Sequence, residues 1–132
     1  MANYWGNNAG IGDLPPYVKA AFQLFRNYDG KHGAFGDTAV QAAPADRSKA
    51  SLFAATDSKH PGRLTVVAIN KDQHASFDAK LDIKGGGYGK AQVYVLDGSE
   101  AEVRTLPPVE IEMNHLEYRM PPLSATLFVC TR

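Results

Sequence analysis

The sequence predicts a mainly β protein: an antiparallel β-sandwich of about eight strands preceded by one amphipathic helix. Three observations carry that prediction. The hydrophobic period switches from about 3.6 to about 2 near Asp37, and no comparable helical stripe returns afterwards. Beyond that point short apolar runs alternate with Gly-, Asp- and Pro-containing turns at intervals of about ten residues. The 132 residues, 44% of them hydrophobic and 21% charged, are one ordinary domain's worth of chain. A catalytic (β/α)8 barrel, which needs roughly 250 residues, does not fit in them.

Taken in order, Asn3 to Gly12 is rich in Asn and Gly and reads as an irregular arm whose large side chains are Tyr4 and Trp5. Asp13-Leu14-Pro15-Pro16 is a helix start, with a capping carboxylate and prolines where no donor is needed. Val18, Ala21, Phe22 and Phe25 then recur at helical spacing as the stripe expected to be buried, with Lys19, Gln23 and Arg26 opposite. Asn27-Tyr28-Asp29-Gly30 ends the helix with a left-handed stop. Strands are expected at Thr38 to Ala43, Ala50 to Thr56, Arg63 to Lys71, Ala75 to Ile83, Lys90 to Leu96, Glu102 to Leu106, Leu116 to Met120 and Ala125 to Thr131. Ala75 to Ile83 alternates strictly, so it covers a core on one side; Arg63 to Lys71 and Ala125 to Thr131 are apolar on both faces, as central strands are. Asn70-Lys71-Asp72-Gln73 reads as a turn between neighbouring strands and Gly85 to Gly89 as a hairpin loop. These elements divide the chain into an arm and helix, 1–37, and a sandwich, 38–132.

Lys+Arg 14 and Asp+Glu 14 balance to zero, which removes the electrostatic case for nucleic acid or an anionic membrane as partner. No apolar run is long enough to span a bilayer, and the N-terminus lacks the pattern of a signal peptide. Cys130 has no second cysteine to pair with and sits in the apolar run Leu127-Phe128-Val129-Cys130, so it reads as a core residue. The carboxylate pairs Glu100/Glu102 and Glu110/Glu112 lie on strand faces, where solvated pairs are usual. His32, His60, His74 and His115 are scattered without metal-ligand spacing, and neither a metal nor any other cofactor is expected. Asp29 and Asp37 supply oxygens a calcium ion accepts, but helix termination calls for the same residues. Tyr4 and Trp5 are the candidate sugar-binding residues, since aromatic faces stack on pyranose rings; Tyr88, Tyr94 and Tyr118 are weaker candidates.

Tyr17 to Lys31, containing Arg26-Asn27-Tyr28-Asp29-Gly30-Lys31, followed by Phe35-Gly36-Asp37-Thr38, resembles the junction between catalytic barrel and β-sandwich in glycoside hydrolase family 44. Val67 to Asp72 and Pro121-Pro122-Leu123-Ser124-Ala125-Thr126 resemble later sandwich strands of that family, and the resemblance runs from Trp5 to Thr131. It implies a retaining endo-β-1,4-glucanase as the parent, built from a barrel and a C-terminal sandwich. Residues 13–27 would be the last barrel helix, and Trp5 would border the substrate cleft. The two glutamates that act as acid/base and nucleophile in such enzymes belong to barrel strands, and neither has a counterpart here. The expected role is therefore a non-catalytic sandwich that supports the barrel of a secreted enzyme; the alternative is a stand-alone binding module for neutral β-glucan polysaccharide. The family's sandwich also borrows a strand from the N-terminal end of the full protein, which implies an open sheet edge in this chain. A homodimer through that edge or through the helix face is a further expectation.

Overall fold

The computed structural model describes residues 14–132; Tyr4, Trp5 and Asp13 lie outside the described residues. Helix α1 spans Pro16–Arg26 with Pro15 at its N-cap, and Lys19 N–H donates to Pro15 O at 3.0 Å. Gly30, at φ 70°, makes the left-handed stop expected from Asp29-Gly30, while Asp29 Oδ1 accepts from the amides of Lys31 and Gly33, each at 2.8 Å.

The strands are β1 (Thr38–Val40), β2 (Ala50–Thr56), β3 (Arg63–Asn70), β4 (Phe77–Asp82), β5 (Lys90–Asp97), β6 (Glu100–Glu110), β7 (His115–Met120) and β8 (Ser124–Thr131). They form a six-stranded sheet in the order β1-β2-β3-β8-β5-β6 and a two-stranded sheet of β4 and β7, with antiparallel pairing throughout. The sandwich predicted from the period of two is the observed fold. β3 and β8 are the central strands, as their two apolar faces require. Their inner residues Leu64, Val66, Ala68, Phe128 and Cys130 pack against Ala79, Leu116 and Met120 of the small sheet. Their outer residues Val67, Leu127 and Val129 pack, with Tyr94, against Leu24 and Tyr28. The large sheet is thus the middle of three layers, between the small sheet and the helix.

The structure alters the expected details at four places. The helix buries Ala20 and Leu24, continued by Tyr28, and not the Val18–Ala21–Phe22–Phe25 stripe; Phe22 and Phe25 are half-buried and Ala21 is exposed. The helix is apolar around more than half its circumference, so periodicity did not choose the strip; Ala20, being small, permits the close approach that seats Leu24. Residues 71–76 and 83–89 each carry the chain between the two sheets, so neither joins hairpin neighbours. Asn70 governs the first crossing: fully buried, it donates Nδ2 to Ala75 O and Pro121 O at 2.9 and 2.8 Å and accepts from Asp72 N–H at 2.9 Å. β6 continues through Pro107 and Pro108, which read as strand-ending punctuation, because it is an edge strand whose outward amides need no partner. Finally, β1 stops at Val40, short of Ala43.

Candidate functional site

Two places in the fold concentrate features that packing alone does not use up: the joint where helix meets sandwich, and the free edge of β4. The joint is built from the Phe35-Gly36-Asp37-Thr38 segment. Phe35 packs edge-on to Phe25 with ring centroids 5.5 Å apart. Gly36 N–H donates to Thr65 Oγ1 at 2.9 Å, and a Cβ at Gly36 would run into the backbone carbonyl of Thr56. The Asp37 carboxylate accepts from Ser58 N–H at 3.1 Å, from Ser58 Oγ–H and from Thr38 Oγ1–H at 3.0 Å, and the Ser58 hydroxyl beside it holds its carboxyl below the usual range. This sequence therefore ties the chain leaving α1 to the first strands of the sheet.

Beneath the joint, the Tyr28 and Tyr94 rings lie 4.7 Å apart, and burial raises the pKa of both phenols. At the neighbouring β2–β3 turn, Asp57 accepts from Arg63 Nη2 and from the amides of Lys59 and His60, at 2.8 and 3.2 Å for the amides. The Arg63 guanidinium hydrogen bond, foremost, holds the Asp57 carboxyl far below the usual range.

The second place is the two-stranded sheet. Across its wet face Asp78–Arg119, Lys80–Glu117 and Asp82–His115 face one another in register, at 3.0, 3.2 and 2.6 Å. Among the described residues, β4 has no hydrogen-bonded strand on its other side. Beside that edge open two clefts of about 810 and 470 Å³, the larger lined by the half-buried Leu52 and Ala54 of β2 and by the margin of the core at Leu64 and Val66 of β3.

The remaining candidate residues do not converge. Glu100, Glu102, Glu110 and Glu112 are exposed along β6 and the turn after it. His60 and His115 pair with Asp57 and Asp82, and among the described residues no group of three His, Cys, Asp or Glu is placed to hold a metal ion. Asp29 and Asp37, the oxygen donors considered for calcium, spend their oxygens on loop amides and hydroxyls. Burial pushes the Cys130 thiol up to about 12, so it is a protonated core group. Tyr94 is buried, Tyr118 packs edge-on against Phe128, and Tyr88 lies half-buried with the Arg132 guanidinium 5.6 Å from its ring centroid. The weaker sugar-stacking candidates thus form no shared platform. The features sequence reasoning missed are Leu24 and Phe53, the latter an exposed phenyl ring in the middle of β2.

No family model matches the sequence. Endoglucanase A of Paenibacillus lautus is 30% identical over 126 residues, which cover 94% of this chain and 17% of that protein. The β-mannanase/endoglucanase A of Caldicellulosiruptor saccharolyticus is 28% identical over 112 residues, or 83% of this chain and 8% of that protein. The structure of a Paenibacillus polymyxa xyloglucanase from glycoside hydrolase family 44, solved with xyloglucan, superposes on 100% of this chain at 35% identity with a TM-score of 0.90. This chain covers 26% of that one, so it spans about a quarter of its length and less of the two endoglucanases.

Proposed function

We propose that this chain is the non-catalytic C-terminal β-sandwich of a longer β-1,4-glucan hydrolase similar to glycoside hydrolase family 44, carrying with it the last helix of the catalytic barrel. The observation that supports this most directly is the superposition on the whole of this chain, helix included, within a quarter of a family 44 xyloglucanase. Its relatives are larger enzymes in which the matching region is one domain, which supports a catalytic domain as its partner. In this reading 1–37 belongs with the barrel and 38–132 is the sandwich; α1, packed by Leu24 and Tyr28 onto the outer sheet face, is the bolt between them. Hydrolysis needs two opposed carboxylates, and the glutamates of this chain are exposed along an edge strand and its turns or, in Glu117, paired to Lys80. A polymeric substrate places the longer enzyme outside the cell.

The test has two parts. Incubated with carboxymethylcellulose, the 132-residue protein is expected to release no reducing ends above the buffer blank; turnover would overturn the non-catalytic reading. The coding sequence upstream of Met1 is expected to continue into a barrel bearing the two catalytic glutamates, and a frame without one would remove the parent enzyme. Tyr4 and Trp5, beside the substrate cleft in this reading, are expected to contribute binding in the longer protein only. Self-association through the helix face or the open edge is the competing assembly, and light scattering of the chain at a single-copy mass removes it.

A further inference from the structure

Two groups at the β2–β3 turn compete for one nitrogen. His60 Nδ1 lies 2.8 Å from Arg63 Nη2 and 3.0 Å from Asp57 Oδ2, and Arg63 Nη2 also donates to Asp57 Oδ2. Nη2 carries two hydrogens, so it serves the carboxylate and the ring together as long as His60 is neutral with its proton on Nε2. Protonation reverses the role of Nδ1, which then donates to Asp57 and sets a second positive charge against the guanidinium. Arg63 loses one acceptor and shares the other. With 60% of its side chain exposed, His60 takes up that proton directly from solvent.

Arg63 has nothing else to hold it on the protein side, because its Nε is buried without a hydrogen-bond partner. Alternation along β3 puts it on the outer face, in line with Thr65, which accepts from Gly36 N–H, and with Val67, which packs with Leu24. Its charge is felt at Tyr28, where burial raises the phenol pKa and the guanidinium opposes the rise. The other charged groups around the His60 ring are Lys59 beside it in the turn, Arg132, whose side chain passes Gly62, and Asp37, which reaches the turn from the joint. Asp37 is already committed to Ser58 and Thr38, so Asp57 is the acceptor left to a charged His60. We propose that His60 is a proton-operated switch at the joint between helix and sandwich: neutral, it holds Arg63 in the turn; protonated, it takes Asp57 for itself and frees Arg63 from its place beside Tyr28. The switch belongs to this chain and does not depend on a barrel preceding it.

The experiment is a nuclear magnetic resonance titration of the 15N-labelled 132-residue protein from about pH 7.5 to about pH 5, the range in which histidines change charge. At the upper end the His60 ring is expected to show the Nε2–H tautomer. As it titrates, the Arg63 Nε–H resonance is expected to move with the same midpoint. Exchange of the Tyr28 and Phe35 amides, which close the loop after α1 onto Gly33 O and Phe25 O, is expected to quicken roughly threefold or more once intrinsic rates are divided out. His60→Gln, at an exposed position that the fold tolerates, keeps an acceptor for Arg63 but cannot titrate, so both responses are expected to vanish. An Nδ1–H tautomer at the upper end would overturn the switch, since Nδ1 would already be donating. So would an Arg63 resonance that stays still while His60 titrates, or one that moves equally in His60→Gln. Loop amides whose exchange does not follow the His60 midpoint would overturn its reach to the joint.

Discussion

Asp57 and Asn70 each do at one residue what several backbone hydrogen bonds do elsewhere. The Asp57 carboxylate gathers the Lys59 and His60 amides and the Arg63 guanidinium at the β2–β3 turn. Its folded pKa lies below the unfolded value of about 3.9, so the unfolded chain takes up the proton first as pH falls. The stability it contributes is therefore complete above about pH 5, and it drains away as pH drops through the unfolded value toward the folded one. Asp57→Asn is expected to cost roughly 1–3 kcal/mol at pH 7 and to shrink the difference between denaturant midpoints at pH 7 and pH 2.5; an unchanged difference would sink the assignment. Asn70 is the sharper case, because removal of its amide leaves the carbonyls of Ala75 and Pro121 and the amide of Asp72 without that partner in a buried corner. Asn70→Ala is expected to destabilise by about 3 kcal/mol, read as a fall in thermal midpoint of roughly 10 °C or more.

At the scale of elements, strands were more legible than the way the helix lies. The run Leu127 to Cys130 announced a strand buried on both faces, and the alternation from Phe77 to Ile83 announced one buried on a single face, because a period of two leaves no choice of face once the core is assigned. The helix offered several apolar strips, and the one used was chosen by the shape of the sheet beneath it, which no local pattern records. Leu24→Ala is accordingly expected to cost about 2–5 kcal/mol in a denaturant titration, while Ala21→Ser, at an exposed position of the strip favoured by periodicity, is expected to cost less than about 1 kcal/mol. A reversal of that order would restore the periodicity-based stripe. The Phe-Gly-Asp-Thr segment was legible as distinctive but not as to its task. Its glycine is required by the Thr56 carbonyl lying against it, a tertiary contact formed only when β2 is in place. The candidate sugar-binding pair Tyr4 and Trp5 falls outside the described residues, and of the weaker candidates Tyr94 and Tyr118 pack against other rings, because an aromatic in a strand is as useful to a core as to a ligand.

For the molecule as a whole, the two sheets are unequal, and the inequality has a consequence for stability. Six strands face two, so Leu52 and Ala54 on the inner side of β2 line the clefts beside β4 and are only partly covered by the small sheet. β4 presents an edge there, and its wet face already carries alternating charge, Asp78, Lys80 and Asp82, each matched across to β7. An extended segment laid along β4 would bury more of Leu52 and Ala54 and supply the missing ladder, which is the mode of β-augmentation. The strand that the family resemblance takes from the N-terminal end of the full protein suits this edge. In the proposed longer hydrolase, exchange of the β4 backbone amides is therefore expected to be at least tenfold slower than in the 132-residue protein, in hydrogen exchange followed residue by residue. Amides of β3 and β8, already paired on both sides, serve as the internal reference for global stability. Protection that rises equally in β3, β8 and β4 would mean that the rest of the enzyme stabilises the sandwich without adding a strand; protection that rises first and most in β4 would place the strand at its edge.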